Sequence, residues 1–324
     1  MPSQADDLIT TDIDVAVARL RAGGLVAIPT ETVYGLAADA EQPAAVSRIF
    51  AVKGRPADHP LIVHVTGVDA LDGWVVHPSE AALTLGAMCW PGPLTMLLPR
   101  GPRVGDWVTG GRVTVGVRAP AHPAAQEMLA RFGGAVAAPS ANRFGRVSPT
   151  DARHVLDDLG DLLEPGRDAI FDGGPCAVGV ESTIVDLTAS PPQVLRSGAI
   201  GADEVARLLA VTLAAPSGPS RTSGMLASHY APECQVVLAD SRDDADRIAA
   251  AARRSGRAVD VLDRAGDPVT AAQRLYADLR AADARRLDAL VVVLPPALGL
   301  GIAVRDRLTK AAAAGGRPPS SRAR

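Results

Sequence analysis

Aromatic side chains are scarce in this chain of 324 residues, which holds three Trp, three Tyr and four Phe against a hydrophobic content of 47%. Ala, Val and Leu therefore have to fill the core, and small aliphatic side chains suit closely packed helix-on-sheet layers. Cysteine is nearly absent too. Cys89, Cys176 and Cys234 are an odd number, widely spaced and without a Cys-x-x-Cys pair. That excludes a disulfide framework and a cysteine zinc site, and three buried thiols in a reducing compartment are expected instead. Six histidines are scattered with no HExxH or other close ligand pair, so no protein-held metal is expected. The chain has no GxxxxGK[ST] loop and no GxSxG elbow, which excludes a P-loop NTPase and leaves no obvious serine nucleophile.

Long hydrophobic runs are missing as well. The uncharged stretch from Ala81 to Pro99 is broken in its middle by Trp90-Pro91-Gly92-Pro93, so it reads as two short buried elements and not as a membrane span. From the polar, acidic start Met1 to Asp12 no signal peptide is expected, and a cytoplasmic protein without membrane contact is expected. The net charge of −3 excludes a globally basic nucleic-acid binder. Locally the balance differs. From Thr95 to Val155 eight arginines face only Asp106, Glu127 and Asp151, a net of +5. An RNA-binding protein using that basic stretch is the alternative reading.

What is present is an alternation of helical periodicity and short β-rich runs. Asp12–Ala22 reads as a helix capped by Thr10 or Thr11 and stopped by Gly23-Gly24, and Leu25–Pro29 as a buried strand. Pro43 opens a helix to about Val52, Ser79 caps one to about Cys89, and further helices fit Pro123–Phe132 and Asp151–Leu159, the last capped by Thr150. Strands are expected at Leu61–Val65, Leu94–Leu98, Val113–Arg118, Ala135–Ala138, Ala169–Asp172, Thr183–Leu187 and Gln193–Leu195. This is an α/β domain, and its strands need not all be parallel.

Beyond it, Ala214–Pro232 turns to Pro, Ser, Gly and Ala without apolar periodicity, as a linker does. Strands at Val236–Ala239, Val259–Leu262 and Leu290–Leu294 then alternate with helices from Asp243, over Ala271–Ala284 and from Ile302. That pattern predicts a small doubly wound, Rossmann-like unit, and without GxGxxG no dinucleotide site is expected in it. The expected division is residues 1–213, a linker at 214–232, a second domain at 233–314 and a disordered tail at 315–324.

Hydroxyl, amide and cationic groups gather just after strands, where an α/β sheet places its ligands. Thr30-Glu31-Thr32 follows the first strand, and Lys53-Gly54-Arg55-Pro56 follows the second helix and leads to His59-Pro60. Thr114 and Arg118 share a strand face by their even spacing. Pro139-Ser140-Ala141-Asn142 and Ser148-Pro149-Thr150 follow another strand, Glu181-Ser182-Thr183 precedes one, and Arg196-Ser197-Gly198 ends one. Arg, Lys, hydroxyls and glycine-freed backbone N–H groups are the mixture that holds phosphate. A site rich in anion holders and lacking a nucleophile fits nucleotidyl transfer, where catalysis is largely positioning and charge neutralisation.

In order and spacing these stretches, together with Ile28–Leu36, Trp90–Thr95, Asp172-Gly173-Gly174 and Gly179–Thr183, resemble the YrdC-like family in its two-domain form, the threonylcarbamoyl-AMP synthases. Gly224-Met225 and His229–Pro232 resemble that family's linker, and Gly299–Lys310 the end of its second domain. The resemblance implies a twisted mixed sheet with helices, followed by the small Rossmann-like domain. It implies a reaction in which L-threonine, bicarbonate and ATP, accompanied by Mg²⁺, give threonylcarbamoyl-AMP and pyrophosphate. The product passes to tRNA threonylcarbamoyl-transfer proteins for the modified adenosine beside the anticodon, and the enzyme's own contact with tRNA stays open.

Carried over residue by residue, Thr32, His64, Arg118 and Ser182 become threonine contacts. Arg55, His59, Thr114, Ser140, Asn142, Ser148 and Arg196 become ATP contacts, and Lys53 completes a basic catalytic clamp with Arg55. Tyr230, on the linker, becomes a cover over the nucleotide. Three departures stand out. His59 replaces the family's usual Asn, Ser223 replaces a Pro ahead of Gly224-Met225 and basic residues are missing after it, and Ser197 replaces another Pro.

Overall fold

Short strands buried at nearly every position build the first part of the structure, a computed structural model that describes residues 6–216 and 230–315. These fall into two units, one of residues 6–144 and 148–216, the other of residues 145–147 and 230–315. Most of the expected linker and the expected disordered tail lie outside the described residues.

The strands of the first unit are β1 (Ile9–Thr10), β2 (Val26–Ile28), β3 (Gly35–Asp39), β4 (Ile62–His64), β5 (Leu94–Pro99), β6 (Thr114–Arg118), β7 (Val136–Ala137), β8 (Ala169–Phe171), β9 (Thr183–Asp186) and β10 (Gln193–Arg196). They form one mixed sheet in the order β1-β8-β2-β3-β7-β4-β6-β5-β9-β10. Its helices are α1 (Ile13–Arg21), α2 (Pro43–Lys53), α3 (Glu80–Cys89), α4 (Asp106–Thr109), α5 (Pro123–Phe132), α6 (Ala152–Leu159) and α7 (Ala202–Leu209).

Alternation along each strand sends side chains to two different faces. Val63, Met96, Leu98, Val115, Val117 and Val185 point into the main core, which also takes side chains from α2, α3, α6 and α7. On the opposite face Val26, Ile28, Ala37, Val136 and Ala138 meet Ala16, Val17 and Leu20 of α1 and Met128 and Leu129 of α5. That second cluster covers only the β8-β2-β3-β7 part of the sheet. Farther along the same face, β4, β6, β5 and β9 carry His64, Arg118, Thr114 and Thr95, with a small apolar floor of Leu97, Ile184 and Leu195.

Two helix caps differ from the sequence reading. The Asp12 carboxylate accepts the Asp14 N–H at the start of α1, while Thr10 Oγ1 accepts from Asp12 N itself. At α6 the Asp151 carboxylate accepts the His154 N–H, and Thr150 lies one residue too early for that bond. A carboxylate at the N-cap also meets the positive end of the helix dipole, which favours Asp over a neighbouring Thr. Strand β3 has no clear sequence signature. Gly-Leu-Ala-Ala-Asp has low β propensity and is extended because β2 and β7 pair with it on both edges. Helices α4 and α7 also escape the sequence reading.

The second unit contains β11 (Gln235–Ala239), α8 (Arg242–Arg254), β12 (Val259–Asp263), α9 (Pro268–Ala284), β13 (Ala289–Val293) and α10 (Leu300–Ala314). All three strands are parallel, in the order β11-β13-β12. Ala289, Val291 and Val293 pack on Ala245 and Ala249 of α8, and Leu290 and Val292 face the side of α9 and α10. Both faces of the central strand are covered, so Ala289–Val293 is buried throughout and apolar at every position. This is the doubly wound pattern expected.

Candidate active site

The turn after α2 is built by one glycine. Gly54 is left-handed (φ 62°), its N–H donates to Ala51 O, and Arg55 N donates to Phe50 O. This stops the helix and aims Lys53 and Arg55 inward, where only 3% and 7% of them stay exposed. The Lys53 ammonium donates to the backbone carbonyls of both Ser140 and Asn142, and Phe144 N donates back to Lys53 O at 2.8 Å. Lys53 thus fixes the 140–144 loop. Burial, reinforced by Arg55, holds its pKa well below the usual lysine range. Arg55 donates to Pro60 O at 3.0 Å and lies over the Phe144 ring, and burial lowers its pKa to about 10. His59 meets the same ring edge-on at 5.4 Å, and its pKa is lowered by burial first and Arg55 second.

A second group surrounds Arg118. It is buried, donates through Nη1 to Thr32 Oγ1 at 2.8 Å and through Nε to Gly92 O at 3.3 Å. Its Nη2 lies 2.6 Å from Glu31 Oε1, an ion pair off the hydrogen-bond axis. His64 is the register partner of Arg118 across the parallel β4–β6 pair. Burial, then the Arg118 charge, depresses the His64 pKa to about 3, so this imidazole is neutral. Thr114 occupies the same face of β6, with Gly116 between it and Arg118 keeping that face low.

The third group joins two chain segments. Ser182 Oγ is 2.7 Å from Thr95 Oγ1 and accepts from Arg196 Nη2 at 3.0 Å, while Arg196 Nε donates to Ser182 O at 2.9 Å. The two segments touch because position 198 is glycine: a Cβ there would lie 2.3 Å from Thr183 N. Nearby in sequence, Ser148 Oγ donates to the buried Glu181 carboxylate at 2.6 Å. Asn142 Nδ2 donates to Arg143 O at 2.8 Å.

The residues read from the sequence are therefore joined in small sets: Lys53 with the Ser140 and Asn142 carbonyls, Arg55 with His59 around Phe144, Arg118 with Thr32 and His64, Ser182 with Arg196. His64 and Arg118 are the last residues of β4 and β6 and Thr114 is the first of β6, and all three lie on the sheet face that the apolar alternation leaves outside the core. Sequence alone does not mark Glu31, Glu181 and Thr95 as site residues. Their motifs are visible, but the burial of two carboxylates is not readable from a turn sequence.

Tyr230 is placed within the second unit. It is buried, adopts φ 62°, stacks on Tyr276 at 5.7 Å and lies under the Arg307 guanidinium.

Most of the local cationic excess is paired in three dimensions. Arg100 pairs with Asp106, Arg103 with Glu41, Arg131 with Asp14 and Glu127, Arg143 with Asp161, and Arg146 with Glu233. Among the described residues no group of three or more His, Cys, Asp or Glu side chains could hold a metal ion. No helix among them is long and apolar enough to cross a membrane.

Buried arginines, hydroxyls and a neutral imidazole on one face of a mixed sheet give this α/β fold a set of groups able to hold an anionic small molecule. Comparisons with known proteins carry this further. The Sua5/YciO/YrdC family model, described as "Telomere recombination", matches residues 18–198, and one described as "Threonylcarbamoyl-AMP synthase, C-terminal domain" matches residues 198–313. The threonylcarbamoyl-AMP synthase of Pyrococcus abyssi is 38% identical over 92% of this chain and 93% of its own length. That of Bacillus subtilis is 38% identical over 96% of each. The crystal structure of P. abyssi Sua5 complexed with L-threonine superposes with a TM-score of 0.87 at 37% identity, covering 94% of each chain. The chain belongs to the two-domain threonylcarbamoyl-AMP synthase family.

Proposed function

We propose that the chain condenses L-threonine, bicarbonate and ATP into threonylcarbamoyl-AMP and pyrophosphate. Its product then supplies the threonylcarbamoyl group for the adenosine beside the anticodon of tRNA. The observation that carries this reading is the Arg118–Thr32–His64 group, with a buried Arg55 and a 140–144 loop fixed by Lys53, in a chain 38% identical to a named synthase along almost its whole length.

In this reading Arg118 binds the threonine carboxylate and Thr32 and Ser182 supply hydroxyls. His64, neutral because it is buried beside Arg118, adds hydrogen bonding without a second positive charge. The threonine amine and bicarbonate give a carbamate and water. A carbamate oxygen then attacks the α-phosphate, and pyrophosphate leaves. Arg55, Arg196, Ser140, Asn142, Ser148, Thr114 and His59 hold the nucleotide. Lys53 contributes by fixing the loop that carries Ser140 and Asn142.

The chemistry asks for positioning and charge neutralisation, not a protein nucleophile. The carbamate is labile, and the burial of Arg118, Thr32 and Ser182 suits a site that keeps water away. The described donor set does not fit a resident Mg²⁺, which enters as part of the ATP substrate. A role of Tyr230 toward the nucleotide is part of the proposal, and Tyr230→Ala is expected to raise KM for ATP. Transfer proteins acting on tRNA are the expected recipients of the product, in the cytoplasm.

The test incubates the protein with ATP, L-threonine, bicarbonate and Mg²⁺ and follows pyrophosphate and the adenylate. Product formation that needs threonine and bicarbonate together is expected, with serine far less effective. Folded protein that yields no such product would sink the reading. RNA binding gains no support, because six of the eight arginines that suggested it pair with carboxylates.

A further inference from the structure

Glu31 and Arg118 hold an unusual arrangement. Each is more than nine-tenths buried, with 8% and 4% exposed. Glu31 Oε1 and Arg118 Nη2 are 2.6 Å apart, yet neither atom makes an aligned hydrogen bond among the described residues. Buried polar atoms with unspent hydrogen-bonding capacity are rare and costly, and they point to a ligand or a strained functional contact. Both side chains are pinned from behind. Glu31 Oε2 accepts the Ala121 N–H at 3.0 Å and Glu31 O accepts the Val178 N–H at 2.6 Å. Arg118 is tethered by Thr32 Oγ1 and Gly92 O. The two atoms, paired only with each other and off the hydrogen-bond axis, are therefore presented side by side, one an acceptor with negative charge and one a donor with positive charge.

We propose that Glu31 and Arg118 form a zwitterion clamp, in which Glu31 receives the α-ammonium of the amino-acid substrate and Arg118 its α-carboxylate. This rests on the reading of an amino-acid substrate given above and adds Glu31 as the residue that selects for the amine. The charges fit. The pair is neutral overall, as an amino acid is, and both ligand charges sit on one carbon, as adjacent as the two protein atoms. A carboxylic acid without the amine meets Arg118 but is repelled by Glu31. An amine without the carboxylate meets Glu31 but is repelled by Arg118. The clamp thus discriminates against hydroxy acids and simple amines, while the carboxylate on its own would bind wherever an arginine is buried.

Calorimetric titration of the full chain tests this with L-threonine, 3-hydroxybutyrate (no amine) and threoninol (no carboxylate). Wild-type protein is expected to bind each analogue about tenfold to a hundredfold more weakly than threonine, the loss typical of a charge-assisted hydrogen bond. Glu31→Gln, which keeps an acceptor for Ala121, is expected to weaken threonine by a similar factor and to leave 3-hydroxybutyrate unchanged or tighter. Glu31→Asp is expected to restore part of the preference. Two results overturn the proposal: 3-hydroxybutyrate binding wild type as tightly as threonine, or Glu31→Gln weakening both ligands equally, which would mean that Glu31 merely steadies Arg118. If wild type binds a different α-amino acid in place of threonine, the clamp stands and the threonine reading falls. Failure to bind any α-amino acid overturns both.

Discussion

Replacing His64 with glutamine isolates the electrostatic cost of the buried imidazole. His64 is 4% exposed, its Nδ1 lies 3.2 Å from Ile62 O, and its register partner is Arg118. Burial and the neighbouring guanidinium lower its pKa from 6.5 to about 3. In the unfolded chain the ring titrates at its ordinary value, so below about pH 6.5 the unfolded state takes up a proton that the folded state refuses. The folded pKa is the lower one. Stability is therefore fully present above the unfolded pKa and is lost as pH falls toward about 3. Linkage gives a loss near zero at about pH 7 and about 2 kcal/mol at about pH 5.

Urea unfolding of wild type and His64→Gln at those two pH values measures it. Wild type should lose about 2 kcal/mol more than the variant over the interval. His59 and His122, whose pKa values burial also lowers, contribute equally to both proteins and cancel. Equal losses in the two proteins, or an NMR titration placing His64 near its ordinary value, would refute the reasoning.

Lys53→Met keeps the buried stem but strips the donors from the Ser140 and Asn142 carbonyls. Each orphaned carbonyl costs about 1–3 kcal/mol, partly offset by removing a desolvated ammonium, and KM for ATP should rise with the loosened loop. Gly198→Ala drives a Cβ to 2.3 Å from Thr183 N and 2.6 Å from Ser182 C, backbone atoms that cannot yield separately. A loss of about 1–3 kcal/mol in urea unfolding, with a raised KM for threonine, is expected.

Steady-state kinetics should separate Arg118→Ala, which raises KM for threonine, from Arg55→Ala, which raises KM for ATP; identical profiles would show that the two subsites are misassigned. In the second unit Asp283 accepts the Glu233 and Cys234 N–H groups at 2.8 and 2.9 Å. Asp283→Ala should cost about 1–3 kcal/mol and speed hydrogen exchange at those two amides above all others.

Local chemistry carried a large share of the fold. Helix α5 matches its expected span at both ends because Pro123 is pre-set for the first turn and Gly133 supplies the left-handed stop at φ 76°. The core strands were visible from β-branched runs, and the small α/β repeat from its alternation of strands and helices. Signals of this kind lie within a few residues of the element they define. At α1 and α6 the cap lies one or two positions beyond the Thr that the sequence suggests, because neighbouring Thr and Asp both suit an N-cap. Only the final backbone angles choose between them.

Tertiary structure decided what no local window holds. Gly35–Asp39 is a strand because two neighbours pair with it, against its own propensity. The net +5 of the middle segment is offset once packing brings Asp14, Glu31, Glu41, Asp161 and Glu233 to five of its arginines. The site residues were legible as motifs, but their partnerships were not. Arg118 meets Thr32 across 86 positions, and Lys53 reaches the Ser140 carbonyl across 87. Sequence determined which residues could bind anions. The strand order, and the assignment of one sheet face to the core, decided that Arg118 stands against a buried carboxylate while Lys53 is spent on backbone carbonyls.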